Sequence, residues 1–154
     1  MQSAFLKQAI QMATENVRRG GGPFAALVVR EGAIIATGCN QVTRTNDPTA
    51  HAEVVAIREA CRVLGDFQLT GCDLYSSCEP CPMCLGAIFW ARPERVFFAA
   101  THTDAAAAGF DDTFIYEQIA LPHSERSIPM VHVIDPQSAL PFEEWVSHPH
   151  KAEY

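Results

Sequence analysis

Asn46-Asp47-Pro48-Thr49-Ala50-His51-Ala52-Glu53 and Ser77-Cys78-Glu79-Pro80-Cys81-Pro82-Met83-Cys84 are two segments that each open a helix. In the first, Asp47 reads as an N-cap and Pro48 as the first helical residue. Val54, Ile57, Cys61 and Leu64 then form an apolar stripe at helical spacing, and Gly65 ends it. In the second, Pro82 to Trp90 reads as a helix, with Pro93 marking its end. Cys81 and Cys84 are three apart, so at a helix start both sulfurs lie on one face. His51 sits on the first turn of the other helix. Two helix tips meeting at one end of a sheet bring an imidazole and two thiols together.

The flanking sequence supplies that sheet. Phe5, Ala9, Met12, Ala13 and Val17 recur at helical spacing through 3–18, and Gly20-Gly21-Gly22 stops the helix. Phe24 to Arg30 reads as a buried strand, Glu31-Gly32 as a tight turn and Ala33 to Cys39 as its hairpin partner. Asn40 to Asn46 is a polar loop. Asp73 to Ser77 and Arg95 to Ala100 read as further strands, and Met130 to Ile134 as a fifth. Helices are expected at 104–108, 112–119 and 137–147. Strands alternating with helices predict an α/β layered fold, and the early hairpin makes the sheet mixed. Open sheets of this kind bind ligands at the carboxyl ends of their strands.

Composition narrows the function. A length of 154 residues fits one compact domain, 1–154. Hydrophobic residues at 48% and charged residues at 19% fit a globular chain rather than a disordered one. No apolar run reaches the length that spans a bilayer. The first twenty residues interleave polar side chains as an amphipathic helix does, which predicts no signal peptide and a cytoplasmic location. A formal net charge of -7, with tight basic groups only at Arg18-Arg19 and Arg92/Arg95, disfavours a nucleic-acid partner. Of six cysteines, Cys78, Cys81 and Cys84 crowd together while Cys39, Cys61 and Cys72 lie in apolar stretches. That pattern reads as a metal site plus buried free thiols.

Two thiolates and one imidazole hold a zinc ion and leave its fourth position for water. A helix N-terminus and the cation both favour the thiolate form. Cys78 competes as a ligand through Cys78-x-x-Cys81, but an extended segment before Pro80 converges poorly with Cys84. An iron–sulfur cluster is excluded by the lack of a fourth cysteine at ferredoxin spacing. Two thiolates cancel the charge of zinc, so the ion is a weaker Lewis acid than one held by three imidazoles. Its water needs a nearby base, and Glu53 is the candidate. Residues two apart on a regular helix point about 200° apart. His51 and Glu53 therefore share a pocket only if it lies over the helix tip. The H-x-E triplet alone carries no weight, and C-x-x-C alone fits a redox pair or a structural zinc. In order, and both at helix starts, they define a catalytic zinc, and H-x-E followed by P-C-x-x-C is the signature of zinc nucleobase deaminases.

On these residues the chain resembles the cytidine deaminase superfamily, and within it the bacterial guanine deaminase branch. The two quoted segments are shared with tRNA adenosine deaminases and cytosine deaminases. More specific are Trp90-Ala91-Arg92-Pro93, Thr101-His102-Thr103-Asp104-Ala105-Ala106, Gly109-Phe110-Asp111-Asp112 and the terminal Tyr154. The resemblance implies a three-layer α/β/α fold around a five-stranded mixed sheet. It implies one Zn2+ per chain, held by His51, Cys81 and Cys84 with a bound water or hydroxide, and hydrolysis of guanine to xanthine and ammonia. Glu53 is the implied proton shuttle. Asp112 matches the second acidic residue, Asn40 the purine-binding amide with the Ala52 backbone beside it, and Phe24 a ring-stacking position. Cytosine, adenine, a triazine or adenosine in tRNA are the alternative substrates, and a non-catalytic zinc scaffold is the rival of another class.

Taken without the resemblance, Phe24 is a core strand residue, Asn40 bonds its own loop, and either Asp111 or Asp112 caps a helix near Thr113. His102 and His123 have no partner at ligand spacing. Phe142, Trp145 and Tyr154 give the chain an aromatic end, and a free terminus normally frays. In the guanine deaminase branch that end crosses to a partner chain, so the resemblance implies a domain-swapped homodimer exchanging residues from about 135 to 154, with Tyr154 closing the site. His148-Pro149-His150 departs from the branch's pattern.

Overall fold

The computed structural model describes residues 2–154. Glu31 and Gly32 both adopt positive φ, 52° and 78°, the turn that joins strands with the right-handed twist. It closes the hairpin of β1 (Ala25–Arg30) and β2 (Ala33–Cys39). Along β1, Ala26 and Val28 face one side while Leu27 and Val29 face the other, and all four are buried. This strand therefore lies at the centre of a layered domain, with a helix layer on each face.

The sheet order is β2-β1-β3-β4, with β3 at Cys72–Cys78 and β4 at Arg95–Ala100. β1 runs antiparallel to β2 and β3, and β3 runs parallel to β4. One face carries α1 (Gln2–Arg18), whose Phe5, Leu6, Ala9 and Met12 pack on Leu27, Val29 and Tyr75. The other face carries α3 (Ala52–Leu64) and α4 (Pro82–Ala91), whose Ala56, Ile57, Ala60, Ile88 and Ala91 join Ala26, Val28 and Leu74. A Cβ at Gly38 would run into the Ala52 carbonyl, so glycine there lets the start of α3 sit directly on β2.

The structure corrects several expectations. The sheet has four strands, not five: Met130 to Ile134 is irregular, with Val133 and Ile134 77% and 87% exposed. Among the described residues of its own unit there is no strand for that segment to pair with, and a lone strand has no ladder. The loop after β2 contains a short helix, α2 (Val42–Thr45), closed by Asn46 in the left-handed region. Asp47 does not cap α3. Its carboxylate accepts from the backbone N–H and the hydroxyl of Thr49, an Asx turn, and His51 takes the N-cap position.

The chain falls into two compact units, 1–113 and 114–154. The first ends with α5 (His102–Ala107), opened by a reciprocal capping box between Thr101 and Asp104. α6 (Thr113–Ala120) begins at the unit boundary. The second unit continues through a 3-10 turn at 123–125 to α7 (Leu140–Ser147). Within it the Arg126 guanidinium donates to the Leu121 carbonyl, and the Trp145 and Tyr154 rings meet edge to face.

Candidate metal centre

His51 and Cys81 occupy matching places. Each is the N-cap of its helix with extended backbone, φ -69° and ψ 154° for His51, φ -66° and ψ 169° for Cys81. β2 and β3 both run antiparallel to β1, Gly38 near the end of β2 meets Ala52 at the head of α3, and α4 follows β3, so both helix tips lie at the carboxyl ends of these strands. The angular conflict between His51 and Glu53 disappears here. His51 stands outside the helix, so its side chain is not bound by the 100° step that separates helical neighbours.

His51 Nδ1 lies 3.5 Å from Cys81 Sγ and 3.5 Å from Cys84 Sγ. Their ligating atoms all lie within 4.8 Å of one another, and no other such group occurs among the described residues. Tetrahedral zinc, with Zn–S of about 2.3 Å and Zn–N of about 2.0–2.1 Å, separates a nitrogen and a sulfur ligand by about 3.5 Å. The donor set and its spacing therefore fit that ion, with Nδ1 as the imidazole ligand. Cys78 is not part of the group. It ends β3, its thiol donates to the Thr101 carbonyl, and burial pushes it up to about 11.

The charges at the site follow from these contacts. A hydrogen bond from Cys84 draws Cys81 down to about 4, while the same shared proton and burial hold Cys84 up. The hydrogen bond to Cys81 raises His51. Glu53 is 5% exposed, and burial raises its carboxyl above the usual range. Its own backbone N–H and the Ser76 hydroxyl pull against that rise. Ser76 Oγ donates to Glu53 Oε1 at 2.9 Å, and Oε2 lies 3.4 Å from Cys84 Sγ. An acid with one oxygen anchored and the other beside the ligand cluster is placed to exchange protons there.

Several of the expected residues gather around this end of the sheet. Phe24 immediately precedes β1, whose Ala25 pairs with Cys39 of β2, and the Asn40 N–H donates to the Phe24 carbonyl at 3.0 Å. The Asn40 side chain is buried, with Oδ1 accepting from the Val42 N–H at 3.3 Å. Ala52 is fully buried at the first turn of α3. Asp111 and Asp112 divide their tasks. Asp111 accepts from the Thr113 N–H at 2.9 Å, whereas Asp112 is raised by burial and by the nearby charge of Cys81. Tyr154 belongs to the second unit, against Trp145. His102 is not idle, since its ring and N–H both meet the Glu79 carboxylate at 2.9 Å.

Sequence reasoning missed three residues. Phe110 meets Phe24 edge to face, with ring centroids 5.0 Å apart, and the sequence marks it only as part of the stretch from Gly109 to Asp112. Ser76 reads in the sequence as strand alone and Asn16 as an ordinary helix residue, yet both are buried polar side chains.

A layered α/β domain with an imidazole and two thiols at two helix tips, and a buried acid beside them, defines a zinc-binding deaminase. Residues 1–100 match the cytidine and deoxycytidylate deaminase zinc-binding region, and the chain belongs to that family. It is 60% identical over 151 residues to guanine deaminase of Bacillus subtilis, covering 97% of each chain. The crystal structure of guanine deaminase from Bacillus subtilis superposes with a TM-score of 0.97 at 59% identity, covering 99% of this chain and 98% of that one. The tRNA-specific adenosine deaminase of Aquifex aeolicus is 47% identical over 96 residues, 62% of this chain and 64% of that protein.

Proposed function

We propose that this chain is an aminohydrolase that converts guanine to xanthine and ammonia. The observation that carries the choice of base is the likeness to a guanine deaminase across 97% of the chain, well beyond the zinc-binding region. The likeness to a tRNA deaminase spans a shorter stretch, and the net charge of -7 opposes a polyanionic substrate.

His51, Cys81 and Cys84 would hold one zinc ion per chain. When bound, zinc supplies the Lewis acidity that readies a water for attack on the carbon bearing the 2-amino group. Glu53 takes one proton of that water and delivers it to a ring nitrogen, then carries the proton of the new hydroxyl to the amino group, which leaves as ammonia as the C–N bond breaks. Burial raises Glu53, which suits a group that must both accept and give a proton near neutrality. Asp112 holds the amino group and relays a proton, and its raised carboxyl serves the same end. Asn40 donates to the purine ring, the Ala52 backbone flanks it, and Phe24 with Phe110 contributes the aromatic wall.

The second unit belongs with a second copy of the chain. The support is apolar surface left open on each unit. In the first, the edge strand β4 leaves Phe98 44% exposed, and Ile10, Val17, Pro23 and Ala99 line a groove of about 520 Å3. In the second, Ile128, Val131, Val133 and Ile134 are exposed. The segment exchanged with the partner is the C-terminal one, from about 135 to 154. Tyr154 then closes the partner's site. A cytoplasmic location agrees with the likeness to a bacterial guanine deaminase and with six cysteines of which none is in a disulfide; no described helix is long and apolar enough to cross a membrane.

The deciding experiment is ammonia release from a panel of guanine, adenine, cytosine, an aminotriazine and a tRNA anticodon stem-loop. Guanine is the expected substrate. Turnover of another base with none of guanine overturns the assignment.

A further inference from the structure

Asn16 is a buried amide with no part in the chemistry described above. It sits in the last turn of α1, 3% exposed, on the face toward the sheet. A polar group so enclosed is stable only when its hydrogen bonds are made. Its Nδ2 donates twice, to the Gly22 carbonyl at 2.8 Å and to the Asn40 carbonyl at 2.9 Å. The Gly22 carbonyl also accepts from the Phe24 N–H at 2.9 Å. One amide thus ties together the two chain segments that carry Phe24 and Asn40.

The surrounding backbone is built to permit this. The Gly21 N–H folds back to the Asn16 carbonyl at 2.9 Å. A Cβ at Gly21 would collide with the Asn16 side chain, and one at Gly22 would stand 3.0 Å from the Asn40 side chain. The triple glycine is therefore a cover moulded over two amides as well as a helix stop. Asn40 is held in turn at three points. Its N–H goes to Phe24, its carbonyl to Asn16, and its Oδ1 to the Val42 N–H. These three bonds set the direction of the side-chain amide, and its NH2, which makes no hydrogen bond to the described residues, is the donor that can meet a substrate.

We infer that Asn16 is the positioning residue that holds the Asn40 amide in its purine-reading pose. The inference rests on the assignment of Asn40 to substrate recognition. Asn16→Asp keeps the shape and removes both donors, setting a carboxylate against two carbonyls. The substrate-reading amide is then free to shift, and a displacement on the order of 1 Å at a binding group costs roughly 100-fold in turnover efficiency. Gly21→Ala reaches the same contact from the other side, by displacing the Asn16 side chain without changing its chemistry.

The test is a double-mutant cycle on kcat/KM for guanine, with zinc content and melting temperature recorded for every variant. Asn16→Asp and Gly21→Ala are each expected to lose roughly 100-fold, mainly through KM, with zinc retained. In an Asn40→Ala background most of that loss should vanish, because the side chain being positioned is gone. Equal losses in both backgrounds overturn the inference, as does full activity in either variant. A second readout does not depend on the substrate. The Asn40 side-chain NH2 resonances in a 15N-labelled sample should shift and exchange faster with water in both variants. If the parent protein does not turn over guanine, the function assignment fails alone, and the NMR readout decides the positioning role. Unchanged Asn40 resonances refute it.

Discussion

Replacing Ser76 with alanine tests whether Glu53 is held for proton transfer. The Ser76 hydroxyl is 1% exposed and donates to Glu53 Oε1 at 2.9 Å. Alanine removes that donor. A hydrogen bond to an ionised group contributes about 1.5–3 kcal/mol. If the bond holds the carboxylate where the proton must be taken, kcat/KM falls by roughly tenfold to 150-fold, at 1.36 kcal/mol per decade. The pH profile gives the sign. Burial raises Glu53, and the Ser76 bond is one of the contacts that lower it. Without that bond the carboxyl stays protonated to higher pH, so the base form is lost sooner on acidification and the acid limb moves up. Steady-state turnover from pH 5 to 9, with zinc measured on the same samples, reads both effects. A kcat/KM within twofold of the parent and an unmoved acid limb refute this role for Ser76. Ser76→Thr, which keeps the hydroxyl, should recover most of the activity.

Three further outcomes are expected. Glu53→Gln should keep stoichiometric zinc while guanine turnover drops to background, and retained turnover rejects Glu53 as the proton carrier. Deleting 149–154 should leave zinc bound and abolish turnover, and light scattering should give a dimer for the parent chain; a fully active truncated monomer rules out the exchange. His102 is raised by Glu79 from its ordinary 6.5, so its share of stability is complete below that value and fades as pH rises through the folded one. Glu79 is lowered from its ordinary 4.5, so its share fades as pH falls below that. The melting-temperature loss of His102→Ala should accordingly be larger at pH 5.5 than at pH 8.5, and an equal loss at both dismisses the ion pair.

The metal centre was legible because the ligands sit at helix starts, where local sequence dictates local structure. Proline at the head of α4 and the three-residue spacing of Cys81 and Cys84 settle their geometry without help from distant residues. The hairpin was legible for the same reason. What sequence misjudged depends on contacts far along the chain. Asp47 and Pro48 have the form of a helix start, yet Thr49 competes for the Asp47 carboxylate and the helix waits until Ala52. Met130 to Ile134 has the alternation of a strand, but a strand is a property of its partner as much as of itself. Asn16 was illegible because an asparagine late in a helix reads as surface, and only the fold shows that Gly22 and Asn40 close over it.

The placement of His51 and Cys81 also makes stability depend on zinc. Both occupy N-cap positions, which serine, threonine, aspartate or asparagine fill best. A ligand at the cap exchanges some helix stability for metal affinity, and the metal then joins the tips of α3 and α4. Free zinc at about 100 times its dissociation constant stabilises the folded chain by about 2.7 kcal/mol. For a chain of this size that corresponds to roughly 5–11 °C in melting temperature. Chelation should therefore lower the melting temperature by several degrees, and zinc should restore it. Cys81→Ser separates the two roles of the position. Serine loses the ligand but accepts better from the N–H groups of the first turn, which is worth about 1 kcal/mol at an N-cap. In the presence of chelator Cys81→Ser should melt at or above the parent, while in zinc it should melt below. A serine variant that melts below the chelated parent would show that Cys81 stabilises the fold by packing alone, and would separate the cap position from the metal.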